Sequence, residues 1–222
     1  MAKLLIAYLS REGQTEKIIQ RIAERLAQHG HSAESYDLDH ARNAIDPKRF
    51  DAVVLAAPIY AGGYPHAVLA FAKKYREALA RIPCSFVSVG LAVASRTHDG
   101  KAQTRQIVDR FLKQSGLKPR HVELMAGALL YTRYNFLKRW VMRRIAQAEG
   151  GDVDTSRDYE YTDWAAVVAP RQRVFRTAPA IDASATPGVL FVSLRWASTR
   201  CCSPRCTASH ASRAAAVLLR CP

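Results

Sequence analysis

The sequence predicts an α/β protein built on an open, doubly wound parallel sheet of five strands with helices on both faces. Three observations predict it. Short, continuously apolar runs recur along the first part of the chain, as strands buried on both faces require. The segments between them place apolar residues at helical spacing with charges in the gaps. The connections are short, and strands alternating with helices call for a parallel sheet covered on two sides. Ligands of such sheets lie outside the carboxyl ends of the strands. The candidate site is therefore the set of loops at 10–15, 58–64 and 90–100.

Each element has its own signal. Lys3–Leu9 is the first apolar run, and Ile18, Ile19, Ile22, Ala23 and Leu26 then recur at helical spacing. Gly30 stands where a glycine would stop that helix. Ala33–Leu38 is a weaker strand, and Ala52–Ala57 a fully apolar one. Pro65–Ala80 reads as a helix with Pro65 in its first turn and Val68, Leu69, Ala72, Tyr75 and Leu79 on one face. Cys84–Val93 is the next buried strand, followed by a polar loop at Ser95–Lys101. Ile107, Val108, Phe111 and Leu112 mark a helix closed by Gly116, and Val122–Leu130 is the fifth strand. Tyr161–Ala169 begins a last helix, capped by Thr162 or Asp163, that meets Pro170.

The 222 residues are 49% hydrophobic and 23% charged, which excludes a disordered or collagen-like chain. Charge divides the chain unevenly. Residues 1–169 carry 25 Lys and Arg against 18 Asp and Glu, whereas residues 170–222 carry 8 Arg, no Lys and the single acid Asp182. Residues 1–169 are expected to form one domain with an insert at about 131–151. Residues 170–222 are expected to carry no part of the site, being either a natural basic extension or the product of a shifted reading frame. The cysteines of that tail (Cys201, Cys202, Cys206 and Cys221) lack the paired spacing of a zinc site, and Cys84 has no partner within the domain. No metal site is expected. The apolar start is too short for a signal peptide, and the uncharged run Ala52–Ala72 is broken by Pro58, Gly62, Gly63 and Pro65. A cytoplasmic protein with at most peripheral membrane contact is expected.

Ser10-Arg11-Glu12-Gly13-Gln14-Thr15 joins a buried strand to an amphipathic helix. Hydroxyls at both ends and a glycine within allow backbone N–H groups to converge on a phosphate at the helix N-terminus. A plain capped helix start is the alternative. GxxxxGK[ST] and GxGxxG are both absent.

The loop resembles the T-x-T-G-x-T phosphate loop of the flavodoxins, with Ser10 at the first threonine and Glu12 at the second. It is more similar still to S/T-R-D/E-G-Q-T of the flavodoxin-like, quinone-dependent protoporphyrinogen dehydrogenases. The resemblance continues through Ser88–Leu91, Ala126–Tyr134, Gly150–Thr155 and Tyr161–Trp164, and so spans residues 3–168. It departs at Gly90, where that family usually has Asn, and at Gln103-Thr104-Arg105, where it has T-x-x-T-N. The resemblance implies a 2-1-3-4-5 sheet with FMN at its carboxyl edge.

The cofactor contacts it implies are Ser10, Arg11, Glu12, Gly13, Gln14 and Thr15 in the first loop, Pro58, Ile59, Tyr60, Ala61 and Gly62 in the second, and Val89, Gly90, Leu91 and Ala92 in the third. Tyr60 and Tyr64 are candidates to wall a planar ring, with Gly62 and Gly63 allowing close backbone approach. His66, His98 and His121 read as ordinary histidines, and no catalytic acid or base is assigned.

Tyr131–Ala148 contains no acid. Phe136, Leu137, Trp140, Val141, Ile145 and Ala148 fall on one side of a helix, and Arg133, Lys138, Arg139, Arg143 and Arg144 largely elsewhere. That composition suits a helix in an anionic membrane interface, or one packed on the sheet. A calmodulin-type or nucleic-acid surface is a further reading, but no nucleic-acid motif accompanies the charge, so no nucleic acid is expected. The resemblance favours the membrane, and the cations also suit substrate propionates. It implies FMN-dependent oxidation of protoporphyrinogen IX in haem biosynthesis, with electrons passed to a membrane quinone at the inner face of the cell membrane. A flavodoxin-type electron carrier and an NAD(P)H:quinone reductase are the alternatives; the net positive charge of residues 1–169 disfavours the carrier.

Overall fold

The computed structural model describes residues 1–40, 43–95, 99–148 and 151–168. Five parallel strands form one sheet in the order β2-β1-β3-β4-β5. They are β1 (Lys3–Tyr8), β2 (Ser32–Asp37), β3 (Ala52–Pro58), β4 (Cys84–Gly90) and β5 (His121–Ala126). The register runs through Ile6, which lies between Ser35 and Val54, and through Val87, which lies beside Ala56 and Glu123. Burial explains the sequence pattern. All of β3 and β4 is buried and, apart from Ser85 and Ser88, apolar on both faces, whereas edge strand β2 is polar and partly exposed.

Helices cover the two faces separately. Helix α1 (Gln14–Gln28) buries Ile18, Ile19, Ile22 and Leu26 against Leu4, Ile6, Val54 and Ala56. Each such aliphatic side chain contributes about 1.5–3 kcal/mol on burial, which anchors the loop entering α1. Val167 of α6 (Trp164–Val168) joins the same layer, and Asp163 caps α6 by accepting the Ala166 N–H at 2.9 Å. On the other face α2 (His66–Lys74), α3 (Arg76–Arg81) and α4 (Asp99–Ser115) pack Val68, Phe71, Leu79, Val108 and Phe111 on Leu5, Leu55 and Phe86. Cys84 lies in this layer as a free, buried thiol, pushed by desolvation up to about 12.

Several boundaries differ from the sequence reading. The helix expected over Pro65–Ala80 is two helices that break at Tyr75. The fourth strand ends at Gly90 and becomes a 3₁₀ turn at Leu91–Ala94. Helix α4 starts inside the expected polar loop, and its Gly100 is packed so closely that a Cβ would lie 2.3 Å from the Ala92 carbonyl oxygen. The apolar run Val122–Leu130 is two strands. Beyond β5, Ala128–Leu129 (β6) leaves the sheet and pairs antiparallel with Tyr159–Glu160 (β7). Apolar content does not reveal such a turn, because the run from Leu124 to Leu130 stays apolar through it. The last elements are a 3₁₀ turn at Tyr131–Arg133 and α5 (Phe136–Ala148). The tail at 170–222 and the His98 reading lie outside the described residues.

Candidate functional site

Loops from the carboxyl ends of β1, β3 and β4 converge on one cavity of about 420 Å³. The first loop begins at Ser10, whose hydroxyl accepts the Glu16 N–H at 3.2 Å. Gly13 caps α1 at φ +88°, a left-handed conformation that costs little only for glycine. The first intrahelical bond is Lys17 N–H to the Gly13 carbonyl, so the Gln14 and Thr15 N–H groups precede any helix partner. Ser10, Glu12, Gln14 and Thr15 line the cavity. Gly13 forms the bend behind them, and Arg11 turns outward to Asp39 at 3.4 Å. Gln14 braces the loop: its side-chain amide donates to Glu160 at 2.6 Å and to Thr162 at 2.8 Å.

The second loop reverses tightly at Tyr60-Ala61-Gly62-Gly63, closed by reciprocal backbone bonds of 2.9 and 3.0 Å between Tyr60 and Gly63. Ala61 at φ +46° and Gly62 at φ +75° give it the two left-handed central residues of a type I′ turn. Pro58, Ile59, Tyr60, Ala61 and Gly62 all face the cavity. Desolvation and the Glu12 charge push the Tyr60 phenol up to about 12, so it is neutral across the physiological range. Tyr64 does not wall the cavity. It lies in the opposite core layer, 4.7 Å from Phe111 by ring centroids, and its hydroxyl donates to Ser88 at 2.7 Å. Burial raises its pKa far above that of a free tyrosine.

The third loop contributes Val89, Gly90, Leu91 and Ala92. A Cβ on Gly90 would meet Ile59 Cδ1 at 3.4 Å, so the second and third loops approach closely here. Gln103, Thr104 and Ile107 of α4 add a side wall. The far wall is α5, through Lys138, Met142, Ile145 and Ala146, together with Tyr134, Asp152 and Tyr161. Tyr161 donates to Asp152 at 2.8 Å, and desolvation pushes its phenol up to about 12. The fully buried Tyr131 reaches the Asp152 carbonyl at 2.9 Å. Tyr134, Asp152 and Tyr161 carried no assigned role in the sequence reading. Their signal was present in the strings Ala126–Tyr134, Gly150–Thr155 and Tyr161–Trp164, which gave likeness without a position.

The insert residues divide by direction. Lys138 points inward and donates to the Glu12 carboxylate. The Arg133 guanidinium lies 3.5 Å from the Glu12 carbonyl. Arg139 bonds the Tyr131 and Tyr134 carbonyls at 3.0 and 3.1 Å, tying α5 to the turn before it. Phe136 (85% exposed), Leu137, Trp140 and Val141 point to solvent, with Arg143 and Arg144 exposed among them, while Ile145 lies half-exposed at the rim of the cavity. The apolar side of α5 therefore does not pack on the sheet. Among the described residues no cluster suits a metal ion, and no helix is long and apolar enough to cross a membrane.

This geometry agrees with what the sequence matches. The family model described as Flavodoxin domain matches residues 5–156. The chain belongs to the flavodoxin domain family. It is also 34% identical over 164 residues to Protoporphyrinogen IX dehydrogenase [quinone] of Escherichia coli (strain K12), covering 73% of this chain and 88% of that protein. The Leishmania major protein of the same name is 33% identical over 166 residues, covering 74% of this chain and 71% of that protein. The chain thus belongs with this branch of the flavodoxin-domain proteins. Among solved structures, a Streptococcus pneumonia TIGR4 flavodoxin superposes with a TM-score of 0.40 at 22% identity, over 55% of this chain and 84% of that one.

Proposed function

We propose that this chain is an FMN-dependent oxidoreductase that converts protoporphyrinogen IX to protoporphyrin IX, in haem biosynthesis, and delivers the electrons to a membrane quinone. The observation that carries the reading is a cavity at the carboxyl edge, bounded by three sheet loops and walled by α5, in a chain 34% identical to a dehydrogenase of that name. The residues present fit FMN. Gly13 turns the first loop so that the Gln14 and Thr15 N–H groups open a helix N-terminus to one phosphate. Tyr60, Ile59, Leu91 and Met142 offer a predominantly apolar slot for a planar ring, within the usual size range of ligand cavities. Bound FMN supplies the redox chemistry, and the protein orients it and excludes water.

The chain's own groups fit the rest of the reading. Electrons and protons removed from the porphyrinogen leave together on the quinone as quinol. Arg133, exposed beside the first loop, is a cation suited to a propionate carboxylate. The outward face of α5 places Phe136, Leu137 and Trp140 beside Arg143 and Arg144, which suits shallow burial in an anionic interface at the inner face of the cell membrane. The test is anaerobic appearance of porphyrin fluorescence from the FMN-loaded full chain. Formation that needs both protein and quinone supports the reading. A rate unchanged by omitting either one contradicts it.

A further inference from the structure

Glu12 is an acid in a loop that the proposed function reserves for a phosphate dianion. Its side chain is only 22% exposed, so water disperses little of its charge. Two residues of the insert hold it: Tyr134 donates to Oε2 at 2.9 Å, and the Lys138 ammonium donates to Oε1. That ammonium also lies 4.4 Å above the Tyr134 ring, which fixes it over the loop. Arg133 reaches the Glu12 carbonyl, and its guanidinium is 3.8 Å from where a Gly13 Cβ would stand. The sequence separates Lys138 from Glu12 by 126 residues, so their contact exists only when α5 is seated.

We propose that Lys138 is the counter-charge that makes an acidic loop accept the FMN phosphate. The inference rests on the phosphate reading of the loop given above. With Lys138 in place the Glu12 charge is compensated, and Tyr134 donates to its second oxygen. Without Lys138, a half-buried carboxylate faces the incoming dianion and repels it. The effect concerns the phosphate alone, so it discriminates FMN from riboflavin.

Flavin fluorescence quenching on the full-length apoprotein tests this, with FMN and riboflavin as the probes. Lys138→Met is expected to weaken FMN by about tenfold, the size of one lost charge-assisted interaction, and to change riboflavin by less than about twofold. The double variant Glu12→Gln/Lys138→Met is expected to recover most of the FMN affinity, because the unpaired acid is gone. If Lys138→Met loses its melting transition, Glu12→Gln alone is informative, and is expected to tighten FMN and leave riboflavin unchanged. A Lys138→Met protein that binds FMN like the wild type overturns the inference. So does a double variant as weak as Lys138→Met, or a Glu12→Gln protein that binds FMN more weakly. A wild type that prefers riboflavin to FMN removes the phosphate reading itself, and the inference with it.

Discussion

Ala61 is a non-glycine residue held at φ +46°, in the turn that bounds the second side of the cavity. A left-handed alanine stores about 1 kcal/mol of steric strain. Ala61→Gly is expected to raise the melting temperature by about 2–4 °C in a domain of this size, measured by calorimetry on the apoprotein. An unchanged or lower value would show that the turn is not strained. Gly13 makes the opposite case. A side chain at φ +88° strains the helix cap, and an acid there adds negative charge against Arg133 and beside the phosphate site. Gly13→Asp is expected to purify without flavin. Flavin retention equal to that of wild type would remove the phosphate site from this loop.

At the residue scale the cavity-lining members of the first loop, with Ile59, Tyr60 and Gly90, were legible because they sit where a strand must end. Tyr64 was misread because its alternation with Tyr60 looks the same whether the turn aims it at the cavity or at Phe86 and Phe111. A one-residue difference in where the chain reverses decides that direction, and composition does not encode it.

The element that separates this chain from a minimal five-stranded sheet is α5. Its amphipathicity was legible, but not which side faces the protein. The inward side carries Lys138, Arg139, Met142 and Ala146, and with Arg133 before the helix three of the five expected lipid-binding cations are engaged within the molecule. Asn135 caps the helix by accepting the Lys138 N–H at 2.9 Å, which sets this rotation at its first turn. The exposed side is the one available to lipid. Phe136→Ser/Leu137→Ser/Trp140→Ser is expected to abolish sedimentation with anionic vesicles. Arg143→Gln/Arg144→Gln is expected to weaken it in a salt-dependent way, each cation near such a surface being worth about 1 kcal/mol. Equal partitioning of both variants with the wild type would leave the exposed face without a lipid partner. The split of the fifth apolar run into β5 and β6 belongs to this scale too. It moves Leu129 and Tyr131 off the sheet into a small third core with Tyr134 and Ala146, and that core seats α5.

For the whole molecule, the parallel sheet and both helical layers followed from alternation of apolar runs and helical spacing, whereas the strand order followed from the flavodoxin resemblance. What alternation could not give was the far wall of the cavity. That wall is built by contacts far apart in sequence, such as Gln14 with Thr162 and Glu12 with Lys138. Together they turn an open sheet edge into a walled slot. The central claim is that electrons leave the porphyrinogen through FMN held in this slot. Its most direct measurement is an anaerobic titration of the FMN-loaded full chain with protoporphyrinogen IX, following the visible flavin band and porphyrin fluorescence together, with quinone added afterwards. Porphyrinogen gives up six electrons and six protons and each flavin takes two electrons, so three flavins should bleach for each porphyrin formed, and the band should return on addition of quinone. Porphyrin appearing while the flavin stays oxidised, or bleached flavin that quinone does not restore, would contradict the account.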